Sequence, residues 1–520
     1  MKRNLLIAIA AALVFAACGN SGGARPGRPP EIKVAVFDRG TDGGKTNPTD
    51  NNWTKWIQEK VLKDENIKVT FVPVPRWNET TAMNNLMAAG TPPDVCLSYS
   101  PDLIGNYRDL GGLLDLAPYI DTTLQDLKKF LGPDAALPGR DLIRRNEDPV
   151  TKKIFSIPAR RVFTAQRGMF IRKDWLDKLG LPLPAATKEY YAALKAFKEQ
   201  DPGGHGKSRV IPLAMGSDVF WGVYNILYSF IDPNLDIKTR WTHTIVEKYL
   251  LLPGCKEGMR FVNQMYQEGL IDRDFAVYKG EEANTVIKSG VVGSFCGEWD
   301  APYRENDKLL SDLQKNIPGA EFVPVDAITG ANGITRKTAY DSAGINFFIP
   351  LSCKNPDAAL RYVNWLARYE NYHFLQAGPE GITHDIVDGV PKIKPVTGPW
   401  IQNSPQNLDY TFCVNGLELG DEELNIRALA AGYPWPFEKI KNAYTLAMTN
   451  AAPGPVIPVQ LSAAGPVNQT LLDKHNTLLA ELMICPPGDF DRVWEAGIAD
   501  WLASGAQAVL DERIAQYREP

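Results

Sequence analysis

Histidine is scarce in this chain of 520 residues, and cysteine comes without close pairs. The five histidines, His205, His243, His373, His384 and His475, show neither HExxH spacing nor any other metal-ligand pattern, so no zinc hydrolase is indicated. Seven cysteines are dispersed with no CxxC, which leaves neither a zinc knuckle nor a thioredoxin-type site. An excess of positive charge is missing as well. Lys and Arg number 56 against 61 Asp and Glu, giving −5, and no polybasic tract gathers them, which argues against nucleic acid as a partner. Beyond the N-terminus no apolar run reaches the length of a membrane span. No GxSxG elbow stands between a strand and a helix to present a serine nucleophile. No internal repeat is found. What is there is 44% hydrophobic and 22% charged residues, enough for a large core in two to four domains.

The N-terminus carries a more specific signal. Lys2 and Arg3 precede an apolar run from Leu5 to Ala17, too short to cross a bilayer, that ends in Phe15-Ala16-Ala17-Cys18. Small residues before a Cys, followed by Gly19-Asn20-Ser21-Gly22-Gly23, resemble a bacterial lipobox, although Phe15 stands where the pattern has Leu. The expectation is a signal peptide over 1–17, lipid attachment at Cys18 and a flexible tether over 18–30. The protein is then extracytoplasmic and held to the cell membrane by acyl chains. An ordinary secretory signal with an incidental Cys18 is the alternative. Export permits disulfides among the six remaining cysteines, and buried free thiols are equally compatible with a core of this size.

Periodicity orders the rest. Ile32 to Phe37 and Lys68 to Val74 read as strands, separated by a helix with Trp53, Trp56, Ile57 and Val61 on one face and Asp50-Asn51-Asn52 as its cap. Thr80 to Ala89 is a second helix, closed by Gly90, and Pro93 to Ser98 contains a short buried strand. This β-α-β-α-β order predicts parallel strands with crossover helices, whose ligand sits beyond the carboxyl ends of the strands. A new unit begins near Phe155-Ser156-Ile157-Pro158, with strands at Gly168 to Arg172, Val291 to Cys296 and Ser342 to Leu351.

These segments, in this order, resemble extracellular solute-binding protein family 1, the receptors of bacterial ABC importers, in its long oligosaccharide-type branch. Asn85 to Val95, with Gly90-Thr91-Pro92-Pro93-Asp94, is similar to the family's helix-Gly-x-x-Pro-Asp-strand signature. Phe170-Ile171-Arg172-Lys173-Asp174-Trp175-Leu176-Asp177-Lys178-Leu179-Gly180 matches it more closely, and Glu268 to Asp272 and Asn355 to Ala359 add two further motifs. The resemblance implies a periplasmic-binding-protein-like α/β fold: two lobes joined by hinge segments, with ligand in the cleft between them. The expected lobes are 31–155 with 325–390, and 156–324 with 391–520. It also implies a monomer without cofactor or covalent chemistry, which captures a solute and presents it to permease subunits. In this branch an EF-hand-like loop often follows a helix ending in Asp-Pro. Here Gly203, His205 and Arg209 stand where oxygen ligands belong after Asp201, so no metal is expected.

A sugar receptor needs aromatic faces and polar edges. The candidates are Trp299 with Glu298, Asp300 and Tyr303 after one strand, Trp77 with Arg76, Tyr99, and Trp53 with Asp50. Trp221 and Trp435 are loop aromatics. Arg160, Arg161 and Arg167 cluster after the first hinge; they read either as surface charge or as a site for the carboxylate of a uronic-acid oligosaccharide. The paired acids Glu298 and Asp300 leave a secreted glycoside hydrolase or lyase as the alternative, and a peptide receptor of the same fold as another.

Overall fold

The computed structural model describes residues 28–132, 141–232, 234–278, 281–304, 307–326, 337–396, 398–404, 407–455, 457 and 461–518. The lipobox and Cys18 lie outside the described residues. Among these, no helix is long and apolar enough to cross a membrane.

One sheet organises the first core. Strand β1 (Glu31–Asp38) buries Ile32, Val34, Ala35, Val36 and Phe37, and pairs in parallel with β2 (Lys68–Pro75). The connecting helix, Asn52–Glu65, begins with a capping box: the Asn51 side chain accepts from the Thr54 N–H, and the Thr54 hydroxyl accepts from the Asn51 N–H. Val34 bridges Val95, just before β3 (Cys96–Ser98). The sheet is completed from two distant parts of the chain, β4 (Ile157–Arg161) and, from beyond a second unit, β10 (Ala343–Phe348). The latter runs antiparallel to both β3 and β4. A further short strand, Val414–Asn415, is parallel to β4, and Leu408, Tyr410, Phe412, Cys413 and Val414 join the same core.

The second sheet centres on β5 (Arg167–Arg172), antiparallel to β7 (Val292–Glu298) and β8 (Phe322–Val325), with β6 (Ile211–Ala214) parallel to β7. Strand alternation serves two cores: Met169 and Ile171 face one, Phe170 the other. The first of these is closed by helices Cys255–Gln267 and Asn468–Ile484. Buried Asn263 donates its amide to the carbonyls of Leu482 (2.9 Å) and Cys485 (2.8 Å), satisfying groups a helix end leaves bare. Helices Glu422–Ala431 and Phe437–Met448 cover the other face.

The two sheets are linked by stretches lying side by side. Residues 162–166 lead from β4 to β5. The return passes through β9 (Lys337–Thr338), where Ala165 bridges Ala339 and the Tyr340 N–H donates to the Thr164 carbonyl at 2.8 Å. A third passage turns at Gly416, whose φ of 115° puts it where a Cβ would lie 2.8 Å from the Val162 Cβ. All six described cysteines are free thiols, which closes the question that spacing left open.

Candidate solute-binding cleft

The carboxyl ends of β1, β2 and β3 converge, as parallel-strand topology requires. Each contributes an aromatic or a cation. Arg76, at the end of β2, lies 4.2 Å over the Tyr99 ring, 5.3 Å from Phe37 and 5.2 Å from Trp77. Glu79 orients this group. It pairs with Arg76 at 3.2 Å and accepts from the Ser98 hydroxyl and the Tyr99 N–H at 3.0 and 2.8 Å. Trp77 is 78% exposed, an open face of the kind a sugar ring stacks on. Beside them Arg39 makes a two-pronged pair with buried Asp409 at 2.7 and 3.0 Å, and Asn403 donates to the same carboxylate at 3.1 Å.

From the other sheet, Trp221 is bracketed by two cations, Arg167 at 4.3 Å and Lys248 at 5.0 Å. Arg167 also pairs with Glu298 at 3.3 Å. Tyr224 ties this wall to the crossing segments through Gln166 (3.2 Å) and Thr338 (2.5 Å). Between the walls, Arg161 lies 4.3 Å over Tyr340. Burial pushes the Tyr99 phenol up, against the pull of Arg39, Arg76 and Arg161; burial and Glu298 raise Tyr340, against Arg167, Arg161 and Arg304. Arg161 is therefore within electrostatic reach of both groups. A cavity of ≈ 280 Å³ opens here, lined by Arg160, Arg161, Thr164, Tyr340, Ser342 and Met448. That is near the lower end of small-molecule sites.

The candidates thus divide. Arg76, Trp77 and Tyr99 lie together at the strand ends of the first sheet, Arg161 lies over Tyr340 between the sheets, and Trp221 and Glu298 are joined through Arg167 at the second. Trp53 has no exposed surface: its ring packs on Trp400 and Phe374, and its N–H is bonded to the carbonyl of Ile401 at 3.0 Å. Asp50 is exposed and pairs with Lys55 at 3.2 Å. Trp299 is 6% exposed and meets Tyr444 edge-on at 5.2 Å. Asp300 is paired with Arg304 at 2.7 Å and accepts from the Tyr433 hydroxyl, and Tyr303 is wholly buried. Trp435 is half-buried beneath Lys439 at 5.1 Å. Arg39, Asp409, Glu79, Lys248 and Tyr340 join the site without having been singled out. A charge directly after a strand was the available signal for Arg39; Lys248 offered none.

At the calcium-like loop, the Asp201 carboxylate accepts from the backbone N–H groups of His205 (2.9 Å) and Gly206 (2.7 Å). Among the described residues no group of three or more His, Cys, Asp or Glu is placed to hold a metal ion.

Two α/β lobes with a shared cleft lined by strand-end side chains define a binding protein of the periplasmic type. The sequence model of the bacterial extracellular solute-binding protein family matches residues 47–372, and the chain belongs to that family. It is 26% identical over 417 residues to lipoprotein LipO of Bacillus subtilis, covering 75% of each chain. The polygalacturonan/rhamnogalacturonan-binding protein YtcQ of Bacillus subtilis is 24% identical over 373 residues, 67% of this chain and 70% of the relative. In structure it is similar to an ABC-transporter-associated solute-binding protein of Bifidobacterium longum infantis, described as HMO-binding (TM-score 0.65, 20% identity, 94% and 98% coverage). The fold is the same; at such identity the likeness extends no further.

Proposed function

We propose that the protein is an exported lipoprotein, anchored through Cys18, that captures an oligosaccharide between its lobes and delivers it unchanged to an ABC import permease. The observation that carries this is that aromatic faces and cations stand on both sheets, Trp77 and Tyr99 with Arg76 on one and Trp221 with Arg167 on the other, with Arg161 of the crossing segments within electrostatic reach of Tyr99 and Tyr340. Stacking faces with charged edges suit a ring whose hydroxyls lie in plane and whose C–H groups lie above and below. The names of two relatives, YtcQ and the fructooligosaccharide-binding FusA of Streptococcus pneumoniae, support a saccharide. We assign 32–159 with 345–414 to one lobe and the cores spanning 165–325 and 426–509 to the other, following which residues are buried together. The receptor works as a monomer. Titration calorimetry against neutral oligosaccharides, acidic oligosaccharides and peptides tests the reading, with mass spectrometry of the recovered ligand. A peptide hit alone refutes the saccharide, and shortened products refute the non-enzymatic role.

A further inference from the structure

The cations around the cleft fall into two groups. Arg39, Arg76 and Arg167 each have a carboxylate partner: Asp409, Glu79 and Glu298. Arg160, Arg161 and Lys248 form no ion pair among the described residues, although Arg160 is 5% and Lys248 9% exposed. The Nε atoms of Arg160 and Arg161 are buried without a hydrogen-bond partner, as are those of the ion-paired Arg76 and Arg167, and the Arg160 guanidinium donates to the Phe130 carbonyl at 2.5 Å. Arg161 is half-buried, and a buried guanidinium N–H without an acceptor is costly, so such groups ordinarily find a partner. Arg160 and Arg161 both line the cavity at the crossing segments.

We propose that the solute supplies the missing anion: the cleft takes a uronic-acid oligosaccharide whose carboxylate is received by the Arg161 guanidinium above Tyr340. The assignment rests on the saccharide reading and narrows it. A carboxylate is planar and matches the guanidinium fork with two parallel hydrogen bonds. Its sugar ring extends toward the aromatic faces of the two walls, and Arg160 and Lys248 add positive potential without needing to touch it. Carboxylates pair with Arg39, Arg76 and Arg167, Glu418 lies within electrostatic reach of Arg160, and Asp218 and Glu247 within reach of Lys248, which leaves Arg161, without an ion pair among the described residues, as the group for ligand.

Calorimetry with trigalacturonate, its fully methyl-esterified form and inorganic phosphate provides the test, at low and at physiological salt. The free acid should bind at least about tenfold more tightly than the ester, with affinity falling as salt rises. Arg161→Gln should weaken the acid by about ten- to hundredfold and the ester by much less, about threefold at most. Equal binding of acid and ester by the wild type overturns the inference while leaving a saccharide receptor standing. Preference for phosphate overturns the carboxylate, and binding of no saccharide overturns both readings. Should Arg161→Gln fail to fold, the wild-type comparison of acid and ester decides alone.

Discussion

His475 sets a pH limit on the second lobe. It lies on the helix Asn468–Ile484 with 1% exposure, its ring 5.3 Å from Phe220, the neighbour of Trp221. Burial, aided by Lys248, holds its imidazole down at about 4 from the usual 6.5, although the Asn476 side chain at 3.0 Å works the other way. Between these values the unfolded chain binds a proton that the folded chain refuses. Stability from this residue is therefore complete above pH 6.5 and lost as pH falls toward 4. The gap between 6.5 and about 4, at ~1.4 kcal/mol for each pH unit, corresponds to roughly 3.5 kcal/mol. Paired carboxylates such as Asp64 and Glu147, held low in the fold, also lose stability on acidification, mostly below this window. The informative quantity is therefore the difference between wild type and His475→Gln in urea unfolding at several pH values. The variant should show a flatter profile between pH 6.5 and 4, whatever its absolute stability. Parallel profiles would mean that His475 is protonated in the fold or solvated, and the burial argument would fail.

Three further outcomes follow from the same geometry. Asp409→Asn leaves Arg39 facing an uncharged amide in a site where the Asp409 side chain has no exposure, and urea unfolding should show a loss of about 3 kcal/mol. Trp299→Ala opens a hole against Tyr444 and should cost about 3–5 kcal/mol; an undiminished melting temperature with abolished sugar binding would instead place the ring in the cleft. Gly416→Ala forces a Cβ against Val162 at a φ of 115°, so a loss of about 1–3 kcal/mol is expected. Small-angle scattering of that variant should also show altered contraction on adding solute.

The elements that sequence reveals here are those whose cause is local. Asn51 caps the first helix with its own neighbour Thr54, and Gly180 ends the helix after Arg172 at φ 66°. The alternation of β5 was readable because each residue's burial follows from the strand itself. The cleft was legible only in part, because exposure at a strand end depends on what arrives from elsewhere. Trp299, directly after a strand, and Trp221, in a loop, both stood out as candidates. Trp299 is buried because the helix Phe437–Met448 lies over it, whereas Trp221 keeps a partly open face between Arg167 and Lys248. Trp53 is covered by Trp400, and the Arg39–Asp409 pair joins positions 370 residues apart. No spacing rule encodes such meetings.

If the solute is received at Arg161, as proposed, the placement of Arg161 and Arg167 makes recognition and movement one event. Arg161 ends β4 in one lobe, Arg167 begins β5 in the other, and only the crossing residues 162–166 separate them. A solute that touches both, or that spans from Trp77 to Trp221, contacts both lobes at once and so favours whichever arrangement brings them together. The two units also touch at a second place. The helix Pro101–Asp109 meets the segment after Leu461: a Cβ on Gly105 would lie 3.7 Å from the Leu461 carbonyl, and one on Gly465 would lie 3.6 Å from the Asp102 Cβ. Small residues on both sides allow this approach. A carboxylate that binds at the hinge and nowhere else would favour one arrangement more selectively than a ring stacked on one wall, because uniform affinity for both states shifts nothing.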